Sequence, residues 1–216
     1  MAELRAYQEK AIEGLRQALR DGKRKVVMAL PTGGGKSHIF GQVISNCLDN
    51  GKTVLWLVHR RNLVNQMADV LWRHFEIEPG IIMAGIESHT SRPVQLCTVQ
   101  TFSRRLKLDE LEKNRFYIPA DVVLIDEAHR SVSKSYRDII DLYQDKIILG
   151  CTATPLRADQ RGLGEVYDTI VDVVGVQELQ KDGYLVKARY FAPSAPDLSN
   201  ISIDPKTSDY VIKELE

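Results

Sequence analysis

Short apolar runs alternate with amphipathic segments along most of this chain. The runs have four to six residues each and lie at 26–30, 53–58, 94–98, 122–125 and 147–151. Runs that stay apolar throughout are typical of strands buried on both faces of a sheet. The alternation therefore predicts an α/β fold, in which a parallel β-sheet carries helices on both faces and right-handed crossovers connect the strands.

The amphipathic segments between these runs predict the helices. The first ends before Asp21 and Gly22, and its apolar face consists of Tyr7, Ala11, Leu15, Ala18 and Leu19. The same periodicity predicts helices at 35–50, 63–74, 102–108 and 177–181. Trp56 and Trp72 fall within these apolar patterns, so we expect both indoles in the core.

The alternating pattern loosens after position 155. A further strand is predicted at 188–192. Residues 193–208 are polar and contain prolines, which is typical of a mobile segment, and 210–216 have a helical composition. We therefore expect one large domain over 1–192 and a polar tail or connection over 193–216.

The composition is that of an ordinary globular chain, with 44% hydrophobic and 27% charged residues among 216. The formal net charge is zero, so any nucleic-acid surface has to be local. No apolar run approaches the length of a membrane span and the N-terminus has no signal-peptide pattern, so we expect a cytoplasmic protein. Three widely spaced cysteines favour reduced, buried thiols over a disulfide or a metal site.

A glycine-rich turn directly after the first apolar run is the first candidate site. It comprises Thr32, Gly33, Gly34, Gly35, Lys36 and Ser37. Glycines let successive backbone N–H groups converge on one point, where the following helix presents its positive end. Lys36 can supply a charge for the β and γ phosphates of a nucleotide, and the Ser37 hydroxyl can ligate Mg²⁺. The turn departs from the G-x-x-x-x-G-K-[ST] pattern, which has glycine where this chain has Leu30.

Two adjacent carboxylates, Asp126 and Glu127, follow the apolar run at 122–125. Ligands bind at the carboxyl ends of the strands in open α/β sheets, so both residues should lie beside the glycine-rich turn. Asp126 is placed to hold Mg²⁺ directly or through water, and Glu127 to polarise an attacking water. We therefore expect Lys36 and this pair to meet around a single magnesium-triphosphate.

Taken in order, these motifs resemble those of superfamily 2 helicases of the DEAH/DEAD-box type. The resemblance spans 4–155 and comprises a Q motif at 4–8, motif I at 31–37, motif Ia at 59–63, motif Ib/Ic at 98–101, motif II at 126–129 and motif III at 152–155. It implies a RecA-like P-loop NTPase domain over 1–192 that uses ATP and Mg²⁺. Residues 156–164 resemble the RadD group, which implies a bacterial or phage-encoded protein.

The resemblance implies roles for further residues. Gln8, whose amide offers a donor and an acceptor, is expected to read adenine, with Arg5 near the base. His129 is expected at the nucleotide site, where a hydrogen bond toward Thr152 or Thr154 would couple motif II to motif III. Contacts to a nucleic-acid backbone are expected from His59, Arg60, Arg61, Thr98, Gln100 and Thr101.

These expectations favour the ATP-binding motor of a helicase or translocase that acts on DNA rather than RNA. No motifs of a second RecA-like domain follow Pro155, so we expect the N-terminal motor domain of a longer helicase, weakly active alone. Two alternatives stay open: the motor part of a restriction or remodelling translocase, and a nucleotide-gated nucleic-acid-binding module without motor activity. A small-molecule kinase is disfavoured because it explains neither motif II nor motif III.

Overall fold

Eight strands form a single sheet in a computed structural model that describes residues 4–89, 91–106, 117–154 and 162–187. The strands are β1 (Lys25–Ala29), β2 (Val54–Val58), β3 (Gly80–Met83), β4 (Ile86–Ser88), β5 (Val94–Thr98), β6 (Val122–Asp126), β7 (Ile147–Thr152) and β8 (Thr169–Asp172). Their order is β4-β3-β5-β2-β6-β7-β1-β8. Every neighbouring pair is parallel except β3 with β4.

Six α-helices and two 3₁₀ turns cover the sheet within the described ranges. They are α1 (Ala6–Arg20), α2 (Lys36–Asp49), α3 (Arg61–Phe75), α4 (Val99–Arg105), η1 (Ala128–Arg130), α5 (Lys134–Leu142), η2 (Leu163–Glu165) and α6 (Val176–Lys181). One apolar core joins the sheet to α1, α2, α3 and α6. A second core joins the opposite face to α4 and α5.

Strand β2 shows why the central strands are apolar throughout. All five of its residues are buried. Val54, Trp56 and Val58 belong to the first core, whereas Leu55 and Leu57 belong to the second. Side chains alternate between the two faces of a strand, and both faces of this sheet are covered. Polar residues therefore do not alternate with apolar ones along the strand.

The prediction of a parallel sheet covered on both faces is confirmed. The five predicted strands occur, with ends shifted by one residue at most, and α1, α2, α3 and α6 match the predicted helices. Helix α4 begins three residues before the helix predicted at 102–108, whose last two residues lie outside the described range. The antiparallel pairing of β3 with β4 is an addition to the predicted sheet. Strands β3, β4 and β8 and helix α5 had not been predicted.

The two tryptophans differ in their surroundings. Trp56 is 2% exposed, as predicted, but Trp72 is 60% exposed. Helix α3 buries Val64, Met67 and Leu71. Each helical residue is turned by about 100° from the last, so the position after Leu71 leaves that face. The prediction of a buried Trp72 was therefore wrong because it ignored the phase of the helix.

Several predictions fall on parts of the chain outside the described residues. They are the strand at 188–192, the polar segment at 193–208, the helical stretch at 210–216, the domain boundary after 192 and most of the RadD-like stretch. These stay predictions. The described residues up to Leu185 form one compact unit. No helix in the described part of the chain is both long and apolar enough to cross a bilayer.

Gly150 in β7 allows the segment after β6 to lie close against the sheet. A Cβ atom at this position would lie 2.6 Å from the Tyr167 hydroxyl oxygen and 2.7 Å from the Ala128 Cβ. Ala128 begins η1 directly after Glu127. Tyr167 is 4% exposed, and its hydroxyl lies 2.8 Å from the Ser131 hydroxyl. Glycine is therefore required by the packing beneath the paired carboxylates.

Replacing Gly150 with alanine should destabilise the fold by about 1–3 kcal/mol, because the added methyl group overpacks a closed site. Gly164→Ala is the matched control, since a Cβ there meets nothing within 4 Å. Its free energy of unfolding should change by less than about 0.5 kcal/mol. Urea denaturation of both variants measures the difference, and equal midpoints would contradict this account of Gly150.

Candidate functional site

The ends of β1, β7 and β6 meet at one edge of the sheet. In register, Ala29 pairs with Thr152, and Cys151 pairs with both Met28 and Asp126. Parallel strands lie about 4.8 Å apart, so the ends of β1 and β6 are about 10 Å apart across β7. The glycine-rich turn after β1 and the carboxylates after β6 are thereby brought together at the same edge.

The glycine-rich turn adopts conformations that its glycines alone allow at little cost. Gly33 and Gly35 have φ values of 83° and 80°. A Cβ at Gly34 would lie 2.8 Å from Leu30 Cγ and 3.0 Å from the Pro31 carbonyl oxygen. These positions therefore require glycine for reasons of backbone angle and space. Thr32, before them, is exposed.

Helix α2 begins at Lys36 with Gly35 as its N-cap, and no side chain among the described residues caps it. The first N–H groups of a helix have no acceptor within the helix, so those of Lys36 and Ser37 can bind an anion. The side chains of Lys36 and Ser37 are half-buried at this point. The turn and the helix start therefore form a phosphate cradle, which presents the backbone N–H groups and the lysine that a phosphate group requires.

Asp126 and Glu127 differ in their surroundings although they are adjacent. The pKa of Asp126 is raised above its ordinary value, mainly by burial and further by the Glu127 charge. The hydrogen bond from the Glu127 N–H and the charge of Lys36 lower this pKa and offset part of the rise. The Glu127 N–H donates a hydrogen bond to the Asp126 carboxylate, with 2.9 Å between the nitrogen and the oxygen. Glu127 itself has a left-handed backbone with φ 54°, which is uncommon for a residue with a side chain. A half-buried carboxylate that feels the charge of Lys36 is suited to hold a divalent cation.

His129 joins motif II to motif III. Its Nδ1 lies 3.1 Å from the Thr152 hydroxyl oxygen, 3.4 Å from that of Thr154 and 3.3 Å from a carboxylate oxygen of Glu127. The Thr154 N–H also donates to the Thr152 hydroxyl at 3.1 Å. The predicted hydrogen bond from His129 toward these threonines is therefore present.

Helix α1 is attached directly to the glycine-rich turn. Gln8 is 5% exposed; its Oε1 accepts from the Arg5 N–H at 3.0 Å, and its Nε2 donates to the Gly34 carbonyl at 3.5 Å. The Tyr7 hydroxyl donates to the same carbonyl at 3.0 Å. Gln8 thus has internal partners in this structure, and its role in reading adenine stays a prediction.

The predicted nucleic-acid residues follow β2 and β5, which are neighbours in the sheet. Gln100 Nε2 lies 3.0 Å from His59 Nδ1. Arg60 and Arg61 are exposed at the start of α3. Thr98, in contrast, is 3% exposed, and its hydroxyl lies 2.8 Å from that of Thr101. Thr98 is therefore arranged to orient Thr101 rather than to contact a ligand itself.

A concave pocket of about 360 Å³ joins motif Ia to motif II. Its lining residues are His59, Arg60, Asn62, Leu63, Glu127, His129 and Arg130. Desolvation by burial, followed by the charges of Arg130 and Arg60, lowers the pKa of His59. The pocket therefore brings the Arg60 and Arg130 guanidinium groups and the Glu127 carboxylate to one surface.

Sequence reasoning missed three residues of this region. Arg130 directly follows motif II, and its position alone could have indicated it. Tyr184 and Leu185 contact Arg5, Tyr7 and the glycine-rich turn, as described below. They lie about 150 positions after that turn in the sequence, and no local pattern indicates the contact.

The arrangement combines a phosphate cradle, a lysine, a carboxylate suited to a cation and a second carboxylate at the mouth of a pocket. These are the groups that transfer of a phosphoryl group to water requires, since that reaction depends on positioning and charge stabilisation. The residues present therefore fit a magnesium-nucleotide.

Comparison with known proteins agrees with this arrangement. The family described as type III restriction enzyme, res subunit, matches residues 1–157. A putative ATP-dependent helicase of Saccharomyces cerevisiae, IRC3, is 35% identical and is aligned over 92% of this chain and 30% of its own length. The DNA 3'-5' translocase XPB2 of Sulfurisphaera tokodaii is 28% identical over 78% of this chain and 34% of its own. The chain thus spans about a third of these relatives.

Among solved structures, the UvsW helicase of bacteriophage T4 is similar to this chain with a TM-score of 0.63 and 25% identity. The similarity covers 79% of this chain and 60% of that one. The chain therefore has the RecA-like helicase fold. Because the family match extends over well more than half of its residues, the chain belongs to the type III restriction enzyme res subunit family and carries the N-terminal ATPase domain of a superfamily 2 helicase.

Proposed function

We propose that this domain binds ATP with Mg²⁺ and that the longer protein couples hydrolysis to movement along DNA. The observation that supports this most strongly is the meeting of the α2 N-terminus with Asp126 and Glu127 at one edge of the sheet. Parallel pairing alone places these two strand ends at the same edge, and what points to a shared ligand is the chemistry gathered there: a helix N-terminus that no described side chain caps, a lysine and two carboxylates. The names of the relatives support the same activity.

Each residue at this edge has a distinct proposed role. Thr32, the three glycines and the first N–H groups of α2 would hold the phosphates, and Lys36 would neutralise the β and γ oxygens. Ser37 and Asp126 would hold Mg²⁺, which when bound offsets charge on the phosphate oxygens. Glu127 would orient the attacking water. Gln8 and Arg5 would contact the base.

His129, Thr152 and Thr154 would transmit the state of the nucleotide to the surface that binds the nucleic acid. The support for this role is that His129 Nδ1 lies within 3.4 Å of a Glu127 carboxylate oxygen and of both threonine hydroxyls. The surface itself would consist of Arg60, Arg61, Gln100 and Thr101, oriented by His59 and Thr98. Backbone contacts of this kind are independent of base sequence, as a translocating motor requires.

A restriction-type translocase is a second candidate, favoured by the description of the matching family. Its motor would use the same residues. A nuclease or target-recognition region fused to the motor in the longer protein would distinguish it from a helicase.

Lys36→Ala should weaken binding of Mg-ATP by about 10- to 100-fold, the loss expected for one charged hydrogen bond to phosphate. Lys10→Ala, an exposed lysine on α1, is the matched control and should leave the Kd unchanged. Isothermal titration of the 216-residue chain measures both. Equal affinities for the parent and Lys36→Ala would refute the proposed phosphate site.

Glu127→Gln should retain ATP binding but slow single-turnover hydrolysis by about 10²- to 10⁴-fold, because the amide no longer accepts a proton from water. Glu178→Gln, an exposed residue on α6, should behave like the parent. Hydrolysis is followed with the chain in excess over radiolabelled ATP. If Glu127→Gln instead loses binding as severely as Lys36→Ala, its role is not in the chemical step.

The 216-residue chain on its own should hydrolyse ATP slowly and separate no strands. In related phosphoryl-transfer enzymes an arginine supplied from elsewhere contributes about 10³- to 10⁵-fold in rate, and here it would come from a second RecA-like domain. Steady-state turnover and a fluorescent duplex-unwinding assay measure the two activities. Efficient unwinding by this chain would show that no second domain is required.

A further inference from the structure

The stretch after β8 returns to the nucleotide-binding edge. After α6, Gly183 has a φ of 76°, and the N–H groups of Tyr184 and Leu185 both donate to the Leu179 carbonyl, at 2.8 and 3.0 Å. Leu179 is fully buried, so this reversal of the chain is anchored in the core. Residues 184–185 are thereby directed toward the glycine-rich turn.

Leu185 contacts that turn closely. A Cβ atom at Gly33 would lie 2.8 Å from Leu185 Cδ2, so the leucine occupies the space beside the glycine. Leu185 also packs against the first core. The segment is therefore part of the wall of the proposed nucleotide site.

Tyr184 contacts Arg5. The Arg5 guanidinium carbon lies 4.4 Å from the centroid of the Tyr184 ring, and the Tyr7 ring meets the same ring edge-on with centroids 5.4 Å apart. Arg5 Nη1 donates to the Tyr7 hydroxyl at 3.2 Å, and that hydroxyl donates to the Gly34 carbonyl. A continuous chain of contacts thus links Tyr184 through Arg5 and Tyr7 to the turn that would hold the phosphates.

A guanidinium has two flat faces, and each can stack on an aromatic ring. The Arg5 guanidinium carbon lies over the Tyr184 ring, and Arg5 is exposed, so a guanidinium face remains accessible to a purine base. Free arginine side chains have many rotamers, and a ligand that needs one of them must pay for ordering it. An aromatic ring that holds the guanidinium beforehand removes part of this cost.

We propose that Tyr184 is a positioning residue for the base of the bound nucleotide, acting by holding the Arg5 guanidinium in the plane that stacks on the base. This rests on the proposed nucleotide function. It predicts that the contact supports binding of the base rather than of the phosphates, because Tyr184 contacts Arg5 directly and reaches the glycine-rich turn only through Tyr7.

The test compares two ligands, Mg-ATP and Mg-tripolyphosphate, by isothermal titration of the 216-residue chain. Tyr184→Leu removes the ring and should weaken ATP about fivefold, as expected for loss of one exposed cation–π contact, and should leave tripolyphosphate unchanged. Tyr184→Phe keeps the ring and should match the parent for both ligands. Tyr117→Leu is the matched control, because Tyr117 (38% exposed) is about as exposed as Tyr184 (40% exposed). It should bind both ligands as the parent does.

A double-mutant cycle separates positioning from a direct contact with the base. Arg5→Ala should weaken ATP, and adding Tyr184→Leu to it should cause no further loss. Additive losses, equal losses for both ligands, or an unchanged ATP affinity in Tyr184→Leu would each overturn the proposal. If the parent binds neither ligand, or Lys36→Ala binds as the parent does, the nucleotide site is itself wrong and this inference falls with it.

Discussion

Parallel pairing across β1, β7 and β6 is the constraint on which the whole site depends. Thr152 at the end of β7 shows how closely the motifs are joined. Its backbone carbonyl accepts the N–H of Leu30, two residues before the glycine-rich turn, at 2.9 Å. Its hydroxyl lies 3.1 Å from His129 Nδ1 on the other side. One fully buried residue therefore contacts both motif II and the strand end that leads into the phosphate cradle. A shift in register at β7 would separate the cradle from motif II.

Much of this arrangement could be predicted because buried parallel strands are apolar throughout. The β8 strand escaped prediction because its residues alternate between half-buried and exposed positions, as expected at the edge of a sheet. Strand β3 is a run of only four residues, and β4 has three. Helix α5 did carry a signal, since Tyr136, Ile139 and Ile140 have helical spacing.

The parts of the site formed by one short sequence motif could be predicted. The contacts between residues far apart in the sequence could be predicted much less well. Lys36 and Asp126 could be placed at the same edge because both follow buried strands of one sheet. The contact of Tyr184 with Arg5 depends on where the chain reverses after α6, which is decided by Leu179 in the core and by a left-handed Gly183. Burial of Gln8 and Thr98 likewise follows from tertiary packing, because both residue types are usually exposed.

The carboxylates show that part of the stability of the fold is given up for the site. Burial of Asp126 disfavours its charged form, and a left-handed backbone at Glu127 costs about 1–3 kcal/mol. The Glu127 N–H and the Lys36 charge offset some of the first cost. A solvated pair of carboxylates at a strand end would need neither feature. A desolvated carboxylate next to a left-handed acidic residue, both beside a phosphate cradle, is a combination typical of a functional site.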